Sequence, residues 1–267
     1  MYRRKKIKPF NEQKFSAILL CVLSLLIFTL VYLDIEISQF HMLVIALGFF
    51  IPFMTYKRYK KKQRTGDLQD YAKKNSYEFY ENPDKKTIDL FLDFFSMKLI
   101  STEPPFNFLD PKNNRQPKII TTQRIVQTGN GSSTYHTQVF LFKLKKELPN
   151  FFIKKKNLIE KLFSNANARR LIKHLGDKNQ RNYFFNKNKN FPKANYYCFT
   201  DNDDLDYLLS NKFINLLNQG LEKGKKQINI ESNQKNIIFY VYNKRHTQED
   251  MNYYINLFNA CNEALSQ

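Results

Sequence analysis

The densest group of ligand-type side chains is TDNDDLD, Thr200 to Asp206, where Asp201, Asp203, Asp204 and Asp206 crowd carboxylates as a hard divalent cation requires. The spacing departs from a calcium loop. If Asp201 opens it, Asp206 stands where the sharp turn needs Gly, and Lys212 stands where the bidentate Glu belongs. A helix start explains the same residues more simply: Thr200 caps, and Asp203 and Asp204 fall in the first turn, where the macrodipole favours anions. TQED, Thr247 to Asp250, repeats that logic before the last apolar run.

Nucleophile chemistry has one candidate, His136 beside Ser132, Ser133 and Tyr135, since an imidazole activates a hydroxyl when a third group orients it. No nucleophile elbow surrounds these residues, and their place near a hairpin tip predicts a solvent-facing strand histidine. His174 and His246 stand beside Lys173 and Arg245 without metal-ligand spacing. TGNGSST, Thr128 to Thr134, lacks the Lys and following apolar helix of a phosphate loop, so its glycines make a turn. Cys21, Cys198 and Cys261 are far apart and form no CxxC pair, which predicts neither a disulfide framework nor a zinc site and suits a reducing compartment. Cys21 follows bulky Leu20 where a lipoprotein box needs a small residue, so it carries no lipid. The sequence thus assigns no catalytic, metal or cofactor-binding residue.

The elements that would position such groups begin with hydrophobic segments. Phe15 to Leu33 holds 19 residues without a formal charge, about 28 Å of helix, close to the thickness of a bilayer core. Phe40 to Tyr56 is slightly shorter, with His41 near its start and Pro52 near its end, where an interface tolerates them. Only DIEISQ joins the two. Arg3, Arg4, Lys5, Lys6, Lys8 and Lys14 precede the first helix, and Lys57, Arg58, Lys60, Lys61, Lys62 and Arg64 follow the second. The positive-inside rule therefore predicts a transmembrane hairpin with both termini cytoplasmic. Nine of the 19 net positive charges fall in residues 1–64, so the basicity belongs largely to this topology signal rather than to a nucleic-acid arm. Lys outnumbers Arg 33 to 10, and bidentate base reading favours Arg, so no specific nucleic-acid partner is expected; NARRLIKHL is a solvated helix face.

Residues 65–267 are expected to form one cytoplasmic domain behind the 1–64 anchor. Gly66 to Asp84 reads as a short helix and a brief extended stretch, and IDLFLDFFS as helical or mixed. STEPPFNFLDPKNNRQP reads as a Pro- and Asn-rich loop. KIITTQRIVQ and YHTQVFLFKLK predict a long β-hairpin. Leu158, Leu162, Ala166, Leu171 and Leu175 recur at helical spacing before Gly176; NYYCFT predicts a strand; Leu205, Leu208, Leu209, Phe213, Leu216 and Leu217 predict a helix. QINIES and NIIFYVYN predict a hairpin turning through Ser232 to Lys235, and Met251, Tyr254, Ile255, Phe258, Cys261 and Leu265 a last helix. The mixed order predicts an α+β fold of hairpins with amphipathic helices.

A two-helix anchor, a basic exit, HTQVFLFKLKKELPNFFIKKKNLIEKLF, FPKANYYCFTDNDDLDYLLSNKFINLLNQ and INIESNQKNIIFYVY together resemble a group of uncharacterised bacterial membrane proteins. The likeness covers most of residues 15–265 and is interrupted by Lys/Asn-rich stretches such as GDKNQRNYFFNKNKN. It implies a bacterial inner-membrane protein with a cytoplasmic α+β domain, and no catalytic residues. The function expected from sequence is a non-enzymatic module that contacts the lipid bilayer and binds a protein partner or assembles a complex. A membrane-surface enzyme and a secreted effector inserting its helical hairpin into a host membrane are the alternatives.

Overall fold

The computed structural model describes residues 39–113, 116–129, 131–156, 184–185, 196–201, 210–224, 228–242 and 246–265. The expected helix at Phe15 to Leu33 and the one across Leu158 to Leu175 lie outside them. The chain divides into two compact units, Met1–Lys62 and Gln63–Gln267. In chain order the elements are α1 (Gln39–Lys74), β1 (Tyr77–Tyr80), α2 (Lys85–Leu92), α3 (Phe95–Ile100), β2 (Glu103–Pro111), β3 (Lys118–Thr128), β4 (Gly131–Lys143) and β5 (Phe151–Lys155). There follow β6 (Phe184–Phe185), β7 (Tyr196–Thr200), α4 (Asn211–Gly224), β8 (Ile228–Ser232), β9 (Asn236–Val241) and α5 (Gln248–Leu265).

The α+β expectation holds for the domain, which is built on one antiparallel sheet in the order β1-β2-β3-β4-β9-β8-β5-β7-β6. Among the described residues no helix is long and apolar enough to cross a membrane. The side chains of residues 39–53 are not described.

Successive strand residues point to opposite sides, and here both sides are covered. On one side Ile119, Phe140, Ile237 and Phe239 pack against Tyr71 of α1, Phe213 of α4 and Phe258 of α5. On the other, Ile120, Val139, Leu141 and Ile238 pack against Phe91 of α2 and Met97 of α3. Double-sided burial is why VFLF and IIFY are continuous apolar runs rather than alternating ones. The rings of Phe140 and Phe258 meet edge to face at 5.2 Å, and those of Phe239 and Phe258 stack at 4.9 Å, which fixes α5 over the β4–β9 pair.

Several expectations are corrected. The helix expected within Gly66 to Asp84 is not a separate short one: Gly66 to Lys74 are the end of α1, and the chain leaves it where Asn75 Nδ2 donates to Tyr71 O and Ser76 takes φ 59°. The Pro-rich stretch is not a loop but strand β2. Pro104 and Pro105 lie beyond the end of β1, whose Tyr80 pairs with Phe108, so their missing N–H groups break no bond there; register shifts against β3 absorb the rest. Ser132, Ser133 and Thr134 belong to β4, paired with Gln127, Val126 and Ile125, so the turn is tighter than TGNGSST suggested. Ser232 likewise lies buried in β8, and the second hairpin turns at Asn233 to Lys235, with Asn233 Oδ1 accepting from Asn236 N and Gln234 at φ 71°. LPNFFIKKK contains β5, a strand not foreseen.

One buried acid ties two layers together. Glu231 of β8 sits opposite Phe152 of β5 and Ile238 of β9, on the side that α3 covers. Its two carboxylate oxygens accept from the backbone N–H groups of Phe95 (2.7 Å) and Ser96 (2.8 Å), two amides that the first turn of α3 leaves without helical partners. Burial pushes the carboxyl up to about 7, while hydrogen bonds from Ser96 and Phe95 and the charge of Lys98 pull the other way.

Because the folded state holds the proton more tightly than the unfolded chain, this contribution to stability is fully present below the ordinary value of 4.5 and lost as pH rises through about 7. The wild-type domain is expected to lose about 3 kcal/mol over that window in urea titrations, and Glu231→Gln to lose most of that slope. Gln presents only one acceptor to the two amides, so at pH 8 the variant should also be less stable by about 1–3 kcal/mol. Parallel pH profiles for the two proteins would show that Glu231 is not the titrating group.

Candidate functional site

Along β3 and β4, the side of the sheet facing α5 changes character within one ladder step. Ile119 opposite Phe140 closes the apolar core; two residues further, Thr121 pairs with Gln138. Both are buried. Beside them β2 is bulged between Phe106 and Leu109, and Asn107 adopts a left-handed backbone at φ 51° with its N–H donating to Glu81 O at 2.8 Å. Asn is among the few residues that tolerate this conformation, and bulges of this kind re-aim side chains. Asn107 is buried, yet its Oδ1 has no hydrogen-bond partner among the described residues.

A cavity of about 340 Å³ lies over this polar floor, roofed by the end of α1 and the start of α5. The start of α5 is fixed by a reciprocal cap: Asp250 N donates to Thr247 Oγ1 at 3.2 Å, and Thr247 N to Asp250 Oδ2 at 3.4 Å, as TQED predicted. The residue before the cap, His246, is buried, with its ring 4.4 Å from Tyr254 and 5.6 Å from Phe140 and its backbone N–H donating to Gln138 Oε1 at 2.8 Å. Tyr71 OH donates to Asn252 Oδ1 at 2.8 Å and Gln248 Nε2 donates to Asp67 O at 3.2 Å, which holds α1 against α5. Met251 and Leu68 supply the apolar wall.

Charge is confined to the mouth. Arg64 and Asp67 are exposed there, and burial first, then the neighbouring Asp70, holds the Asp67 carboxyl above its ordinary value. Burial pushes the Tyr71 hydroxyl up to about 12, so it stays protonated and donates. The arrangement can therefore seat a small polar molecule on neutral hydrogen-bonding groups, with one charge of each sign at the entrance.

The residues singled out from sequence are distributed otherwise. Lys57, Arg58, Lys60, Lys61, Lys62 and Arg64 all lie on α1, and Arg64 lines the cavity. His136 is half-buried against Phe106, ring centroids 5.9 Å apart, rather than solvent-facing. Ser132 is four residues along the same strand, about 13 Å away, and Ser133 points to the opposite side, so no hydrolase pair forms. Thr200 is buried in β7; the described helix after it, α4, is capped by Ser210, whose Oγ accepts from Phe213 N at 3.3 Å. Asp203, Asp204, Asp206 and His174 lie outside the described residues. Cys198 and Cys261 are buried in the core, and burial pushes the Cys261 thiol up to about 12, which keeps it unreactive. His246, which the sequence showed only beside Arg245 without metal-ligand spacing, packs inward; its place just before a capping box was the available signal, since such residues commonly turn inward. Nothing local marked Asn107 or Gln138, which become neighbours only through strand pairing.

Asn107→Gly should keep the bulge, because Gly adopts the left-handed backbone freely, whereas Asn107→Ala should be about 1 kcal/mol less stable than the Gly variant. Chemical denaturation of both decides it; equal stabilities would mean that the conformation is not imposed on this position.

No family model matches the chain, and no curated protein is similar to it. Among solved structures it is similar to the crystal structure of the mycobacterial trehalose monomycolate transport factor A, TtfA, with a TM-score of 0.44 and 8% identity, covering 75% of this chain and 93% of that one.

Proposed function

We propose that this chain is a membrane-tethered binding protein, a member of the bacterial two-helix-anchor group it resembles, whose α+β domain recognises a partner at the cytoplasmic face of the inner membrane. In this reading Phe15 to Leu33 and Phe40 to Tyr56 are the anchor and Lys57 to Arg64 the cytoplasmic exit, supported by the asymmetry of Lys and Arg around the two apolar runs. The observation that carries the binding role is the cavity: α1, three neighbouring strands and α5 converge on it, and its floor sets the buried polar side chains of Asn107, Thr121 and Gln138 beside the apolar core. A membrane-surface enzyme is favoured by one observation, that Asp67 and His246 line the same cavity.

Two experiments test the reading. In a background without native cysteines, Arg4→Cys and Lys235→Cys should be protected from an impermeant thiol reagent in intact cells, while Gln39→Cys should label; Lys235 is chosen because it is exposed. Labelling at position 235 before lysis would reverse the orientation. Arg64→Ala combined with Asp67→Ala alters exposed groups at the cavity mouth, so the variant should fold and lose the partner recovered by proximity labelling of the wild type. An unchanged partner set would place recognition elsewhere. A substrate consumed by wild type and not by Asp67→Asn or His246→Gln would favour the enzyme.

A further inference from the structure

We propose that the cavity takes a small carboxylate, a simple carboxylic acid or an amino acid, with its charged head on the floor; the inference rests on the reading of this domain as a binding module. The floor sets the class by the atoms it leaves open. Gln138 is 3% exposed, and its orientation is fixed because Oε1 accepts from His246 N–H, so what it presents to the cavity is its amide nitrogen, a donor. Asn107 is 6% exposed with Oδ1 enclosed, which again leaves the amide nitrogen. No hydrogen bond among the described residues occupies either nitrogen. Thr121, opposite Gln138, adds a hydroxyl that can donate as well. The floor therefore offers donors and requires acceptors. The roof makes the same demand. Thr247 at the cap and Gln248 and Met251 in the first turn of α5 line the cavity; the capping box uses the N–H groups of Thr247 and Asp250, while those of Gln248 and Glu249 have no helical partner. Such a helix end carries about half a positive charge and favours an anion. The formal charges of Arg64 and Asp67 at the mouth cancel, so a dianion such as phosphate finds no second cation, whereas a single carboxylate is matched by the neutral donors and the helix end. An ammonium alone would meet donors with donors. Tyr71, Leu68 and Met251 offer an apolar flank for a short carbon chain, and about 340 Å³ is at the lower end of ligand-site volumes. Asp67 stands where the ammonium of an amino acid would be received, which separates the two sources.

The test uses the full chain in an uncharged detergent, with saturation-transfer NMR on millimolar propionate and alanine and protein-free micelles as the baseline. At least one of the two should receive saturation from the wild type. Propionamide, which keeps the shape without the charge, and inorganic phosphate should each compete at least about tenfold more weakly. Gln138→Glu keeps the oxygen that accepts from His246 N–H and turns the open donor into an acceptor; Asn107→Asp does the same at the bulge, since Asp also tolerates the left-handed backbone. Each variant should melt cooperatively and bind the carboxylate at least about tenfold more weakly. Asp67→Asn separates the sources: a wild-type preference for alanine over propionate that this variant loses identifies an amino acid, and its absence identifies a simple carboxylate. No saturation transfer to either probe from folded wild type, equal competition by propionamide or phosphate, or wild-type affinity in folded Gln138→Glu would overturn the proposal. Were neither floor variant to fold, the wild-type selectivity among carboxylate, amide and phosphate still decides it. If the mouth variant still loses its proximity-labelled partner when the carboxylate fails, the binding-module reading stands and only the ligand class falls.

Discussion

The central strands are covered on both sides, and the rest of the domain follows from that constraint. A sheet with one wet face can place polar side chains on alternate positions at little cost. Along VFLF of β4 and IIFYV of β9 neither side is wet, and those runs are apolar or aromatic throughout. Buried polar side chains flank them, and two groups of these explain pieces of the architecture.

Glu231 is the buried acid on the α2–α3 side. A carboxylate there is tolerated because α3 begins directly above it and offers two backbone amides that its own helix cannot use. The exchange works in both directions: a helix of six residues too short to be stable by itself is held by a strand residue 135 positions away. Without α3 the acid would be stranded, and without the acid the helix would lose its anchoring point on the sheet.

Gln138, Thr121 and Asn107 are buried polar residues on the α1–α5 side, and they are satisfied only in part. Gln138 fixes the backbone of His246 just before α5 begins, so the same side chain that borders the cavity also sets its roof. Asn107 remains with an unused oxygen, on a backbone held in a conformation few residues adopt. A left-handed Asn at the floor of a cavity is a backbone outlier of the kind that points to a functional site. This is why the cavity, rather than the acidic cluster or the hairpin histidine, carries the functional reading. The basic run enters the same picture through Arg64, which belongs both to the proposed membrane exit and to the cavity mouth.

The sequence by itself determined whatever depends on neighbours along the chain. The two hairpins, the strand at Tyr196–Thr200, the cap at Thr247 and Asp250 and every core position expected of the last helix were legible, because local periodicity and capping chemistry are one-dimensional signals. What only the tertiary structure decided is which of these meet. Proline content made β2 look like a loop, since the edge position and bulges that make Pro104 and Pro105 harmless exist only once β1 and β3 are in place. Nothing within QINIES singles out Glu231, because its partners are amides of a distant helix. Asn107, Thr121, Gln138, His246 and Arg64 are scattered from one end of the domain to the other, and their chemistry arises from strand pairing and helix packing that no local spacing encodes.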